Sequence, residues 1–203
     1  MYKLFLTIFF VFFFFVYFIS SFFIPVIKLK QQSIFNSVSD VYSSEDFLWP
    51  IPGYKSISSY FGKRISPTSG ASSYHSGIDI PAPEGTQIYA IAEGTVIFSS
   101  WGAGGGYTIT IKLDNKSNNP NLQNLSVSYC HLSPIMYVNY NNHVEKGALI
   151  GTVGPKIVYG INNNPYHDEY GNPTNGATTG CHLHFAIKKD DSFVDPFNYY
   201  LIE

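Results

Sequence analysis

Residues 107–113 read Tyr-Thr-Ile-Thr-Ile-Lys-Leu and residues 125–130 read Leu-Ser-Val-Ser-Tyr-Cys, and these stretches decide the fold. In both, β-branched, aromatic or aliphatic residues alternate with hydroxyl-bearing or charged ones. A period of two marks a strand with one buried and one wet face. Residues 181–189, Cys-His-Leu-His-Phe-Ala-Ile-Lys-Lys, alternate in the same way. Working outward, TQIYAIA (86–92), TVIFSS (95–100) and ALIGTVG (148–154) are further short β-forming runs set between Gly, Pro and Asn turns. No 3.6-residue pattern follows the first thirty residues, apart from a short turn expected at 133–138. The expectation is an all-β domain, a partly open antiparallel sandwich or barrel. Two Asn- and Gly-rich stretches, 114–124 and 155–180, read as loops. The second is long for a compact domain, and loops of that length tend to be functional or mobile.

A chain of 203 residues suits one domain with accessory segments. The net charge of -2 leaves no basic excess, which argues against nucleic acid as a partner. Only 13% of residues are charged, where about 25% is usual. Part of the reason is residues 4–27, LFLTIFFVFFFFVYFISSFFIPVI, which carry no charge. At about 1.5 Å per residue this stretch spans a bilayer core of about 30 Å. A cleaved signal peptide has an apolar region of about 7–15 residues and a small-residue cleavage site. Here Ser20 and Ser21 are the only small pair, and more apolar residues follow them. Residues 1–27 are therefore read as an N-terminal transmembrane helix, with secretion as the outcome if the segment is cleaved. Charge leaves its orientation open, with Lys3 before the span and Lys28 and Lys30 after it. Residues 28–48 form a polar tether and 49–203 the folded domain.

Three constellations carry chemistry. His75-Ser76-Gly77-Ile78-Asp79 contains a glycine and runs into Pro81 and Pro83, so a loop feeding a short strand fits better than a helix. Asp79 is then expected to point back toward His75, and imidazole and carboxylate are both good zinc ligands. In Cys181-His182-Leu183-His184-Phe185, alternation sets His182 and His184 on one face, opposite Cys181, Leu183 and Phe185. By the same rule, His131 in Ser128-Tyr129-Cys130-His131-Leu132 is expected to face with Tyr129, away from Cys130. Taken singly, each pattern is an ordinary surface or structural feature. Together they hold four of the six histidines. A catalytic zinc needs three protein ligands and an open position, and two histidines remain for protons and transition-state charge. Either histidine of the 182–184 pair satisfies this picture.

The ordered motifs HSGID, YCHL and HLH resemble the signature of the lysostaphin/LytM-type zinc endopeptidases, whose fold is the duplicated hybrid motif. SSYFGKRISP before the first motif, GIDIPAPEGTQIYAIAEGTVIF across it, VEKGALIGTVG before the long loop and VDPFNYY near the end agree. The resemblance covers the chain from about Trp49 onward. It implies one zinc ion held by His75, Asp79 and His184, with His131 and His182 as the unligated catalytic pair. It also implies metal-assisted hydrolysis of peptide cross-links or stem peptides in bacterial peptidoglycan, with the domain on the cell-wall side of a single-pass membrane anchor. A silent wall-binding or hydrolase-activating protein would lack ligands, and none is missing. A metallopeptidase with a protein substrate is the other alternative.

Four features weigh less. His143 reads as an exposed loop residue and His167 as part of the long loop, at most at a cleft rim. Tyr159, Tyr166 and Tyr170 are read as ordinary loop packing. Cys130 and Cys181 are expected on the faces opposite their neighbouring histidines, reduced and packed as small apolar groups rather than paired. The glycines around GTVIF and KGALIGTVG resemble carrier-domain hairpins, but no modified-lysine turn accompanies them, so they are read as turn and bulge positions.

Overall fold

The structure is a computed structural model, and it describes residues 47–68, 70–115 and 119–200. The expected anchor, 1–27, lies outside the described residues, as does all but the end of the 28–48 tether. Among the described residues no helix is long and apolar enough to cross a membrane.

The chain is built of short strands. β1 (Gly62–Lys63), β2 (Tyr74–His75), β3 (Ile78–Pro81) and β4 (Gln87–Tyr89) come first. The long strands β5 (Gly94–Trp101), β6 (Tyr107–Leu113) and β7 (Leu125–Cys130) follow. β8 (His143–Val144), β9 (Leu149–Thr152), β10 (His182–Lys189) and β11 (Ser192–Val194) complete the set. Seven strands make one antiparallel sheet in the order β11-β10-β7-β6-β5-β8, with β3 also pairing with β10. β3 runs beside residues 182–185 of β10 and β11 beside residues 187–189. β1–β2 and β4–β9 are separate two-stranded sheets. All-β is thus the observed class.

Alternation decides what is buried. Ile109, Ile111, Val127, Tyr129, Phe185 and Ile187 are fully buried, while their neighbours Thr110, Lys112, Ser126, Ser128 and Lys188 remain at least partly open. Each such aliphatic side chain contributes about 1.5–3 kcal/mol of burial. Ile88 of β4 and Ile150 of β9 share the same core, and Gly151 lies against Ile109 and Leu132. Tyr129 is accommodated because its hydroxyl accepts the Ile91 backbone N–H at 3.0 Å. A register shift between Val96 and Phe98 bulges β5 and leaves Ile97 and Phe98 exposed.

Phe47 is buried, the Leu48 N–H donates to the Ile91 carbonyl at 2.9 Å, and Tyr200 Oη donates to the Leu48 carbonyl at 2.9 Å. The expected turn at 133–138 is not helical. Pro134 brings no N–H, and Ser133 and Tyr137 instead donate to Thr152 and Ile150, fastening the segment beside β9. Short 3-10 turns occur at Ala103–Gly105, Pro120–Leu122 and Pro196–Asn198.

Candidate metal centre and active site

Gly77 and the β3–β10 register build the centre. A Cβ at residue 77 would fall 2.3 Å from the Phe185 carbonyl oxygen, so only glycine lets the chain pass this close to β10. β3 then pairs with β10 so that Asp79 lies directly opposite His184. His75, at the end of β2, is 2% exposed and faces them both.

Three donor atoms converge. His75 Nε2 lies 3.1 Å from Asp79 Oδ1 and 2.9 Å from His184 Nδ1, and His184 Nδ1 lies 2.9 Å from Asp79 Oδ1. His75 Nδ1 sits 2.9 Å from the Tyr60 carbonyl, which can only accept, so the ring proton belongs on Nδ1 and Nε2 keeps its lone pair. That lone pair points at a carboxylate oxygen, and a cation between them resolves the conflict. A tetrahedral zinc with bonds of about 2.0–2.1 Å separates its ligands by about 3.3 Å, close to this triangle. These three residues could hold a metal ion.

Surrounding groups fix the set. Arg64 Nη1 donates to Asp79 Oδ2 at 3.1 Å and to Ser59 Oγ at 2.6 Å, and Ser59 Oγ lies 3.2 Å from His75 Nδ1. The guanidinium therefore holds the outer carboxylate oxygen and leaves Oδ1 turned inward. Burial alone would raise the Asp79 carboxyl, but the His182, His184 and His75 rings gathered around it outweigh that and hold Asp79 well below the usual carboxylate range. Burial lowers His184, against the opposing pull of Asp79.

His131 and His182 stand beside this triangle. Their ring centres are 4.7 Å apart, and His131 is 6.2 Å from His184. His131 Nδ1 donates to the Asn175 carbonyl at 2.7 Å and His182 Nδ1 to the Gly180 carbonyl at 2.9 Å. Each ring thus turns Nε2 away from its carbonyl anchor. His182 Nε2 lies 3.5 Å from Asp79 Oδ1. Burial, reinforced by His182 and His184, pushes His131 down to about 3.

His131 does not share a face with Tyr129 as alternation predicts. β7 ends at Cys130, and His131 takes a left-handed backbone with φ 59°. That turn breaks the period of two, sending Tyr129 to the core and His131 to the cleft. Cys130 is consequently on the cleft side, opposite His184 in register. Cys181 packs against the core, and both thiols are free. Burial pushes the Cys130 thiol up to about 11, with Thr108 opposing and Asp79 adding.

Asn175 carries no sequence signal, yet it anchors the long loop. Fully buried, it accepts from the Tyr107 N–H at 3.0 Å and donates to the Leu132 carbonyl at 2.9 Å. Arg64 and Ser59 sit within the flanking SSYFGKRISP motif, but nothing in their spacing marks them as partners of Asp79. His143 is exposed and pairs with Asp114 at 3.0 Å, and His167 bridges to Pro173, so neither joins the centre. Tyr166 packs over Gly70, whereas Tyr159 and Tyr170 are exposed rather than packed. A cavity of about 340 Å³ reaches His75, His131 and His184 from the sheet face, and one of about 380 Å³ borders Asp79, His131, His182 and His184. Arg64 lines both.

Residues 73–167 match peptidase family M23. The DD-carboxypeptidase/endopeptidase Mpg of Neisseria meningitidis is 30% identical over 70% of this chain, which spans 26% of that relative's length. A zinc containing peptidase from Vibrio cholerae superposes with a TM-score of 0.53 at 25% identity, over 72% of this chain and 37% of that one. The catalytic domain of lysostaphin from Staphylococcus simulans shares the fold, with a TM-score of 0.53 at 23% identity over 72% of this chain and 91% of that domain. Its strand order, its ordered histidine motifs and these likenesses agree: residues 73–167 carry a peptidase family M23 domain of the lysostaphin/LytM type.

Proposed function

We propose that the chain is a zinc metalloendopeptidase that hydrolyses peptide cross-links or stem peptides of bacterial peptidoglycan. The observation that carries this reading is the lone pair of His75 Nε2 aimed at Asp79 Oδ1, with His184 Nδ1 closing the triangle. His75, Asp79 and His184 are the ligands of one zinc ion, and His131 and His182 the catalytic pair. A bound zinc supplies Lewis acidity toward a peptide carbonyl and lowers the pKa of water toward about 7.

The chain's own residues do the rest. His131 and His182 each spend Nδ1–H on a backbone carbonyl, so both have Nε2 for the reacting groups. Such a pair takes a proton from the attacking water, returns one to the leaving amine and stabilises the oxyanion between these steps. Arg64 keeps Asp79 in its single-oxygen pose. The likeness to the Neisseria relative, a DD-carboxypeptidase/endopeptidase, supports the substrate class. Residues 1–27 anchor the chain in the cell membrane, and the tether holds the domain on the cell-wall side.

Full-length protein in detergent, loaded with zinc, should release peptide fragments with new termini from purified peptidoglycan, read by mass, and a chelator should stop release. Wall material left intact by fully zinc-loaded protein would overturn the reading. His184→Ala should lose zinc and hydrolysis together, whereas His131→Ala should retain zinc and lose at least about a hundredfold in turnover.

A further inference from the structure

Three rows of side chains cross the open face of the large sheet. The β10–β7 register sets His184 beside Cys130, Ala186 beside Ser128 and Lys188 beside Ser126. β6 adds Thr110 beside Ser128 and Lys112 beside Ser126. The first row belongs to the metal centre. The second is small and hydroxylic, with Thr110 Oγ1 and Ser128 Oγ 2.9 Å apart. The third carries two ammonium groups on either side of a serine.

The cavity described above follows this face. From His75, His131 and His184 it passes Thr108, Ser128 and Ala186 and ends at Phe193. Lys188 Nζ lies 4.6 Å from the centre of the Phe193 ring, so an ammonium group stands over the side chain that ends the cavity. Lys112 is exposed beside it. Among the described residues neither lysine forms an ion pair, for Asp114 is taken by His143 and Asp190 by the Asn124 side-chain amide.

The geometry points to an anion subsite at this end, in which Lys112 and Lys188 receive a free carboxylate of a peptide whose scissile bond lies at the histidines. This rests on the hydrolase reading and narrows it, from peptides in general to acidic ones rather than uncharged runs such as glycine bridges. Along β10, His184 and Lys188 are four residues apart, about 13 Å. Flexible lysine stems shorten that reach, so the carboxylate sits two to four residues from the cut, at about 3.3 Å each. Exposed charge pairs contribute little singly, and two together give a preference of about three- to tenfold. Salt should erode it.

The test compares purified peptidoglycan with the same material after carbodiimide amidation of its carboxyl groups. Zinc-loaded full-length protein should digest the native form about three- to tenfold faster at low salt. The double variant Lys112→Gln/Lys188→Gln should lose that ratio. Lys189→Gln should keep it, because Lys189 Nζ is engaged by the Pro120 carbonyl at 3.0 Å. Equal digestion of both materials by the unsubstituted protein, or a ratio that survives in the double variant, would overturn the subsite. If neither material is cut, the hydrolase reading fails and co-sedimentation decides the subsite. His182→Ala protein should then bind native wall more tightly than amidated wall, with the difference removed by the two lysine substitutions. Equal binding would overturn it.

Discussion

Arg64, Ser59 and Tyr60 surround the three proposed metal ligands without joining them, and each acts on a specific atom. Arg64 holds Asp79 Oδ2 and Ser59 Oγ, and the Tyr60 carbonyl fixes the His75 tautomer. Removing such support commonly weakens metal binding about 10- to 100-fold. Arg64→Met should do so in a zinc competition titration, and the visible spectrum of the cobalt-loaded protein should change. Unaltered affinity would mean that Asp79 needs no external hold. Tyr129 gives a pH-dependent counterpart in the core. Burial raises its phenol, against the Ile91 hydrogen bond. Folded Tyr129 keeps its proton above about pH 10, where the unfolded chain loses it, so stability falls as pH rises beyond that point. Tyr129→Phe should cost about 1–3 kcal/mol at neutral pH, since the Ile91 N–H loses its partner. The same variant should flatten the alkaline decline, measured by denaturant melts from pH 8 to 11. Cys130, held protonated by burial, should resist alkylation at pH 8 in the folded protein, with Cys181 reacting first.

At the scale of elements, the register of β3 on β10 is the feature most exposed to a single change. Gly77→Ala sets a methyl group 2.3 Å from the Phe185 oxygen, which neither strand can yield without moving Asp79 from His184. We expect a loss of at least about 3 kcal/mol, or failure to bind zinc, read by thermal melting with and without metal. Strand β6, the alternation of β10 and the pairing of His182 with His184 on one face were legible in the sequence, because a half-buried strand writes its burial directly into a period of two. His131 was not, since a single left-handed residue reverses the face and no local pattern announces it. Asn175 was equally silent. Its role depends on Tyr107 and Leu132, residues distant in sequence, and its own neighbourhood of Pro, Thr and Gly reads only as a turn. The resemblance in HSGID, YCHL and HLH supplies what periodicity lacks, because it points to His131 whichever way the strand faces.

For the molecule as a whole, the three proposed ligands, drawn from β2, β3 and β10, bring separate parts of the chain to one point. An ion bound there favours the folded state by mass action, by about 4 kcal/mol when free metal exceeds its dissociation constant a thousandfold. Chelation should therefore lower the melting temperature by several degrees as well as stop hydrolysis. If melting is indifferent to metal, the three residues do not share an ion. The described fold also closes on itself. Tyr200 meets Trp49 edge to face with ring centres 5.3 Å apart, and its hydroxyl grips the Leu48 carbonyl. The two ends of the described stretch, 47–200, are thus sewn together at one pole. A circularly permuted gene that joins them with a short linker and reopens the chain elsewhere keeps every strand neighbour, which offers a way to display the domain from a new attachment point.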